Sequence, residues 1–393
     1  MSLFGYLFGT GGSTTHHSGL LYGGGYPTES GSQISEYNAP TIPAVYACVG
    51  LISDAIAQLP IRVYRMGDNG RREHIRGHRV EHLLNERPNP RMTAFAYRKT
   101  AMNHVLLWGN GYSHIQRRGN GTPEALWLAL PDRTWPELQT DGSLIYETTI
   151  DQDFKEIEAP DMVHVPAFGF DGVVGYSPVA VARQAMGLSK AMEKFGAKFY
   201  ANDGTSGGYI KHPGKLSEEA VKNLRESLSR QGGPDEAWRP KVLEEGMDYV
   251  QTTINPEDAQ FLEGRDFQVA EIARIYRVPL HMIQSVSGST SWGSGIAEMS
   301  MGFVRFTLAP WMTPIEQELN NKLFTRRERE QGYYIKHDTS DLLRGDLNDR
   351  ANYYQAALDP ENGWLTREEV RAAEDKDPLE NDDSRFATVR GAE

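Results

Sequence analysis

At 393 residues the chain has room for two or three domains, and 39% hydrophobic with 10% aromatic residues supplies a packable core. A mean hydropathy of -0.54 and the lack of any run of about 20 apolar residues exclude an integral membrane protein. A net charge of -12 argues against a chain that grips duplex DNA tightly through its phosphates, which takes clustered Lys and Arg. The single cysteine, Cys48, excludes intrachain disulfides and a structural zinc cluster. It falls in an apolar helical stretch and reads as a buried thiol. Residues 1–8 lack a basic start, so no signal peptide is expected there.

Residues 9–40 are rich in Gly, Ser, Thr, Tyr and His without periodicity, which predicts a flexible arm over 1–40. His16 and His17 lie in this tract and read as exposed polar residues. The first helix spans 41–60: Val45, Val49, Ile52 and Ile56 recur at helical spacing and Pro60 stops it. Residues 61–66 alternate and read as a strand. A short helix follows over 78–86. Its His78 and His82 are four apart but have no third ligand nearby, so they read as a solvated face. The segment 93–107 is helical, with Phe95, Met102, Val105 and Leu106 as its apolar positions. Trp108-Gly109-Asn110-Gly111-Tyr112 turns into a strand over 112–117. Short strands continue over 125–165, with turns at Pro131-Asp132, Asp141-Gly142 and Ala159-Pro160.

Ser177 and Pro178 have the residue types of an N-cap and a first helical position, and they open a long helix. Its apolar positions are Val179, Ala182, Ala185, Met186, Ala191, Phe195 and Phe199, and the glycine-rich 202–208 segment ends it. A further amphipathic helix over 216–230 is capped by Ser217. Two short strands over 238–251 come next. A helix then runs from Asn255-Pro256 to about Arg277, with Ala259, Leu262, Val269, Ile272 and Ile275 on its apolar side. Pro279 ends it. Residues 285–295 are almost entirely Ser, Thr and Gly, with one Trp; buried, such backbone would go unsatisfied, so an exposed loop is expected. Residues 298–330 read as one helix kinked at Pro310 and Pro314, with Val304, Leu308, Met312, Ile315, Leu319 and Leu323 along one side. A strand over 333–337, two short helices over 343–358 and 366–374, and an acidic tail complete the chain.

No phosphate-binding Gly-Lys-Ser/Thr loop, Gly-x-Ser-x-Gly elbow, His-Glu-x-x-His helix or zinc-type cysteine set is present. No catalytic residue, metal site or cofactor is therefore assigned. A metal-dependent DNA-processing enzyme remains one rival reading, since carboxylates are abundant. A structural head or neck adaptor ring is another.

Several short runs, in this order, resemble the portal proteins of tailed bacteriophages, in the family typified by HK97. They are Val45-Tyr46-Ala47-Cys48-Val49 with Leu59-Pro60, the 108–112 turn, Gly175-Tyr176-Ser177-Pro178, and Glu271-Ile272-Ala273-Arg274 with Val278-Pro279. Arg305-Phe306-Thr307-Leu308-Ala309-Pro310-Trp311 and Ile315-Glu316-Gln317-Glu318-Leu319 complete the set, which covers roughly 40–375. The resemblance implies an α+β portal fold with a mixed α/β wing, a helical stem, a small β-containing clip and a helical C-terminal crown. On it the wing spans 41–214, the stem helices 215–231 and 256–282, and the clip 232–255. The channel loop spans 283–296, the kinked helix and wing return 297–339, the crown 340–378 and the acidic tail 379–393.

The resemblance further implies a ring of twelve subunits at one vertex of the virion capsid, assembled in the host cytoplasm. Its implied partners are double-stranded DNA without sequence preference, the large subunit of the terminase, the major capsid protein or scaffold, and a head-completion adaptor. DNA would pass Ser287, Ser289, Thr290, Ser291, Trp292 and Ser294 of the channel loop, where Trp292 replaces an expected tyrosine. Trp238, Arg239 and Lys241 of the clip would face the terminase, and Pro310 would set the helix kink. An acidic or neutral lining would keep the polyanion from sticking.

Overall fold

The computed structural model describes residues 25, 27–67, 70–150, 153–201, 208–214, 217–219, 221–222, 247–251, 261–283, 299, 301–339, 347–360, 362–374 and 376. The chain divides into two compact units, one from residues 1–290 and 306–337, the other from 291–305 and 338–393.

In the first unit, order begins earlier than the composition suggests. Pro27 bridges to Gln33, and Thr28, Ile34 and Glu36 are buried. The expected flexible arm is thus corrected for 27–40. Its few apolar and carboxyl groups find partners far along the chain, a signal that periodicity does not carry. Residues 1–24 lie outside the described ones. Helix α1 (Pro43–Gln58) buries Val45, Cys48, Val49, Ile52 and Ile56, as the spacing requires. Burial without a charged partner pushes the Cys48 thiol up to about 12, so it is an inert packing group.

Strands β1 (Ile61–Met66) and β2 (Arg72–His74) pair antiparallel, and helix α2 (Arg79–Asn85) follows. His78 caps α2, its ring Nδ1 accepting from the Val80 N–H at 3.2 Å. Helix α3 (Ala94–Trp108) is capped by Thr93 and packs on α1. Phe95, expected inside, is 41% exposed; Tyr97 turns inward instead and its hydroxyl meets Ser113 at 2.6 Å. A polar partner for the phenol decides between two aromatics two positions apart.

Gly109 ends α3 in the left-handed region at φ 79, where a Cβ would stand 2.2 Å from the Tyr176 carbonyl oxygen. Strand β3 (Asn110–Arg117) therefore starts at once, two residues before the expected boundary. It lies between β4 (Pro123–Ala129) and β8 (Met162–Pro166), and β5 (Thr134–Leu138), β6 (Leu144–Ile150) and β7 (Asp153–Glu158) form a separate meander. Tyr112, Ala129, Tyr146, Ile157 and Met162 pack together between the two sheets.

Helix α4 (Pro178–Ala201) opens as expected: the Ser177 oxygen accepts from the Ala180 N–H at 3.0 Å and Pro178 takes the first turn. The 202–207 turn lies outside the described residues. Strand β9 (Gly208–Lys211) pairs with β10 (Asp248–Gln251), so residues from the expected wing and clip segments share one ladder. Val221 N–H bonds the Ser217 carbonyl at 3.0 Å, consistent with a helix opening there. Helix α5 (Phe261–Tyr276) packs on α1 and α4. It buries Ile272, Ala273 and Tyr276, whereas Ile275 faces outward, one step off the expected stripe.

The expected 298–330 helix is two helices. Helix α6 (Ala309–Leu323) stops at Phe324, and α7 (Arg326–Glu330) restarts with a capping box in which Thr325 and Glu328 satisfy each other's backbone N–H groups. Two parallel hydrogen bonds from the Arg79 guanidinium to the Glu328 carboxylate, at 2.6 and 3.0 Å, tie α7 to α2. They outweigh burial and hold the Glu328 carboxyl down at about 2. Strand β11 (Tyr333–His337) returns to pair with β1, giving the order β11–β1–β2. In the second unit, helices α8 (Leu347–Ala357) and α9 (Arg367–Ala373) are joined by a turn folded back on Ala357, whose carbonyl accepts from Trp364 and Leu365. The acidic tail from 377 on lies outside the described residues.

Candidate functional site

The site expected from the sequence is the 283–296 segment with the helices on either side. Ser287, Ser289, Thr290, Ser291, Trp292 and Ser294 lie outside the described residues, as do Trp238, Arg239 and Lys241. What the structure describes is how the two ends of the segment are held.

On the upstream side, α5 ends at Arg277, a non-glycine residue at φ 56. The Val278 N–H reaches back to the Ala273 carbonyl at 2.9 Å and the Arg277 N–H to Arg274 at 3.2 Å. This is a Schellman closure with arginine where glycine is usual, a local strain of about 1 kcal/mol or more. Pro279 then forbids further helix, and a short 3-10 turn, Leu280–Ile283, carries the chain onward.

On the downstream side the helical ladder widens. Val304–Leu308 is π-helical, directly before α6. Pro310 lies in the first turn of α6, and Pro314 lies inside it. A proline in a helix has no N–H to give the carbonyl four residues earlier, and the π segment sits on the residues that would have offered that carbonyl. The irregularity attributed to Pro310 from sequence is therefore a π stretch ahead of the proline.

A hydrogen bond joins the two sides. Thr307, within the π stretch and 4% exposed, donates its hydroxyl to the Arg277 carbonyl at 2.6 Å. The αL carbonyl of the helix end is thus satisfied from the π stretch that leads into α6. Sequence reading missed Thr307, because neither its type nor its spacing marks a partner thirty residues away.

Behind α6 lies a buried polar network. His164 is fully buried; its Nε2 stands 3.0 Å from Asn110 Oδ1 and its Nδ1 3.3 Å from the Tyr146 hydroxyl. The His164 backbone N–H donates to Glu318 on α6 at 3.3 Å, and Glu318 pairs with Lys322 at 2.5 Å. Lys322 also donates to the Met162 carbonyl at 2.6 Å. Burial, with Lys322 adding, drives the imidazole down to about 3, so it is neutral at any ordinary pH. This network orients α6 against β8 and offers no proton near neutrality.

His78 and His82, four apart in sequence, go to different carboxylates: Glu328 at 3.4 Å and Glu86 at 3.1 Å. Among the described residues no group of three His, Cys, Asp or Glu side chains is placed to hold a metal ion.

A family model described as phage portal protein matches residues 43–375. A probable portal protein of Streptomyces phage phiC31 is 33% identical over 372 residues, covering 91% of this chain and 80% of the relative. The portal protein of Enterobacteria phage HK97 is 30% identical over 354 residues, covering 90% of this chain and 82% of the relative. A chain in the neck of a native gene transfer agent particle, solved with C12 symmetry, shares the fold at a TM-score of 0.57 and 23% identity, over 87% of this chain and 93% of that one.

Proposed function

The chain belongs to the phage portal protein family, and from that premise we propose that it forms a ring, of twelve subunits, at one capsid vertex, through which DNA enters and leaves the head. The 283–296 segment lines the channel and touches passing DNA weakly, through hydroxyls, backbone N–H groups and the Trp292 indole. It holds no Lys or Arg, and a segment built to grip phosphates would carry positive charge. The terminase supplies ATP hydrolysis, and the portal itself turns over no substrate. Trp238, Arg239 and Lys241 dock the terminase large subunit. The capsid protein or scaffold and a head-completion adaptor bind elsewhere on the ring.

The observation that carries this reading is the tie between Thr307 and Arg277 at 2.6 Å. It joins the chain ahead of the 283–296 segment to the chain after it, so both flanks are held from one point. The test is a ring carrying Trp292→Ala. It is expected to assemble normally under the electron microscope and to package or retain less DNA. Normal packaging by this variant and by a loop deletion would leave the segment a mere linker. Arg239→Ala with Lys241→Ala is expected to weaken terminase binding in a pull-down while leaving the ring intact; unchanged affinity would move the docking site elsewhere.

A further inference from the structure

Helix α6 carries three pairs of residues at one-turn spacing: Glu316 with Asn320, Glu318 with Lys322, and Ile315 with Leu319. Residues four apart share one side of a helix. The pairs therefore mark two polar flanks with an apolar strip between them.

Each polar pair meets the end strand of a sheet. On one flank, Glu316 accepts from the His337 backbone N–H at 2.8 Å and stands 2.8 Å from its ring Nδ1. Asn320 accepts from the Ile335 N–H at 2.6 Å and donates to the Ile335 carbonyl at 3.3 Å. Both partners lie on β11, the end strand of β11–β1–β2. On the other flank, Glu318 and Lys322 take the His164 N–H and the Met162 carbonyl of β8, the end strand of β4–β3–β8. Helix α6 thus stands where a further strand would stand on both sheets, joined to each edge through side chains.

The apolar strip between the flanks is not filled. Ile315 and Leu319, with Met102 and Val105 of α3 and Val163 and Val165 of β8, line a cavity of about 60 Å3. The polar groups in its wall are turned to other partners. The Tyr97 hydroxyl donates to Ser113 at 2.6 Å, and Arg98 reaches the Leu59 carbonyl at 2.6 Å. His337 Nε2 and Arg98 Nε have no hydrogen-bond partner, but neither presents surface that a water could touch. A buried water needs about three polar partners, whereas an apolar cavity stays dry and takes apolar guests. A cavity of about 150 Å3 takes benzene, so by proportion this one takes about two or three heavy atoms.

We propose that the cavity beneath Ile315 and Leu319 is a binding site for a small apolar molecule, and that filling it stiffens α6. The guest is a noble-gas atom, or a hydrocarbon or halocarbon of about two or three carbons. A wall with no atoms opposite it forfeits dispersion contacts. The strip of α6 over the cavity is therefore held less firmly than its flanks, whose long side chains tolerate a small tilt. A guest restores the missing contacts and removes that freedom. The site is a property of the subunit and holds whether or not the chain lines a DNA channel.

Xenon is the probe, used on the full-length protein. Its NMR resonance is followed against xenon pressure for wild type and for Val163→Ile with Val165→Ile, which thickens the β8 wall. The expected result is a saturating shift in wild type, with one site per chain, and its loss in the double variant. At xenon about ten times above its dissociation constant, the wild-type folding constant should rise about elevenfold by mass action. Amide exchange reads the stiffening. Under xenon it should slow along α6 more than along α4, whose described residues do not line the cavity. If the double variant does not fold, Ile315→Val widens the cavity instead and should move the bound-xenon resonance. A resonance that shifts linearly with pressure in wild type is surface contact only and overturns the site. So does a saturating shift left unchanged by every variant, or an ordered water there that xenon does not displace. Equal slowing of α6 and α4 would mean general stabilisation and defeat the claim on α6.

Discussion

Asn110 treats the Gly175 backbone as a strand would: its Nδ2 donates to the Gly175 carbonyl at 2.8 Å and its Oδ1 accepts from the Gly175 N–H at 2.9 Å. His164 Nε2 adds to the same oxygen, so Nε2 carries the proton and Nδ1 accepts from Tyr146. The network is complete only with a neutral imidazole. His104 is likewise buried and held down at about 4. Both folded values lie below the ordinary value of 6.5. Unfolded chains therefore bind protons that the folded chain refuses, and stability falls as pH drops below about 6.5. The carboxyl of Glu328 adds to this only below its ordinary value of 4.5. His164→Gln is expected to flatten the fall in melting temperature between neutral pH and about pH 5, as measured by calorimetry on the full chain. An unchanged pH profile would mean that acid acts through other groups. The same variant should melt lower than wild type at neutral pH, since a shorter hydrogen-bonding reach leaves Tyr146 unsatisfied.

Among the elements, the join between α5 and α6 is where local rules are broken most: an arginine at φ 56, a π stretch and a proline within a few residues of one another in space. Thr307→Val keeps the shape and removes the hydroxyl. It should cost about 1 kcal/mol in urea unfolding, the usual net value of one buried hydrogen bond. A null effect would show that the Arg277 carbonyl finds another donor. Pro310→Ala, at a first-turn position where proline is tolerated, should change stability by less than about 1 kcal/mol. It also lets the π stretch tighten to an ordinary α-helix. Packaging is expected to fall while folding is kept; wild-type packaging would remove the mechanical role of this irregularity. Most elements were legible from sequence because caps and stops are local: Ser177 with Pro178, Thr93, Gly109 and Pro60 each mark a boundary within their own turn. Residues whose orientation depends on a distant partner were not legible. Phe95 yields to Tyr97 because Ser113 offers a hydroxyl, 298–330 breaks at Phe324 because Thr325 and Glu328 cap a new helix, and 27–40 is ordered by residues as far away as Ser177 and Gln184.

For the whole molecule, family membership asks for subunits that contact one another around a ring, and a cyclic ring needs two different surfaces per subunit rather than one self-complementary patch. Helix α4 offers one. Val181 and Leu188 are 58% and 44% exposed, and a spacing of seven puts them on one side of the helix, as in a helix–helix seam. Single exposed apolar residues are ordinary, but two in line on the longest described helix are not scattered. The opposite side of α4 buries Val179, Ala182 and Met186, so the exposed line is not needed for the fold of the subunit. Val181→Glu with Leu188→Glu should therefore leave the monomer folded, with its circular dichroism and melting little changed. It should shift light scattering from ring mass toward the 44.0 kDa chain. The comparison is made both with the pure protein and after co-expression with the capsid or scaffold protein proposed as its partner. Full-mass rings from the double variant in both settings would place the subunit contact on another face. A wild-type protein that stays at 44.0 kDa in both settings would count against the ring itself.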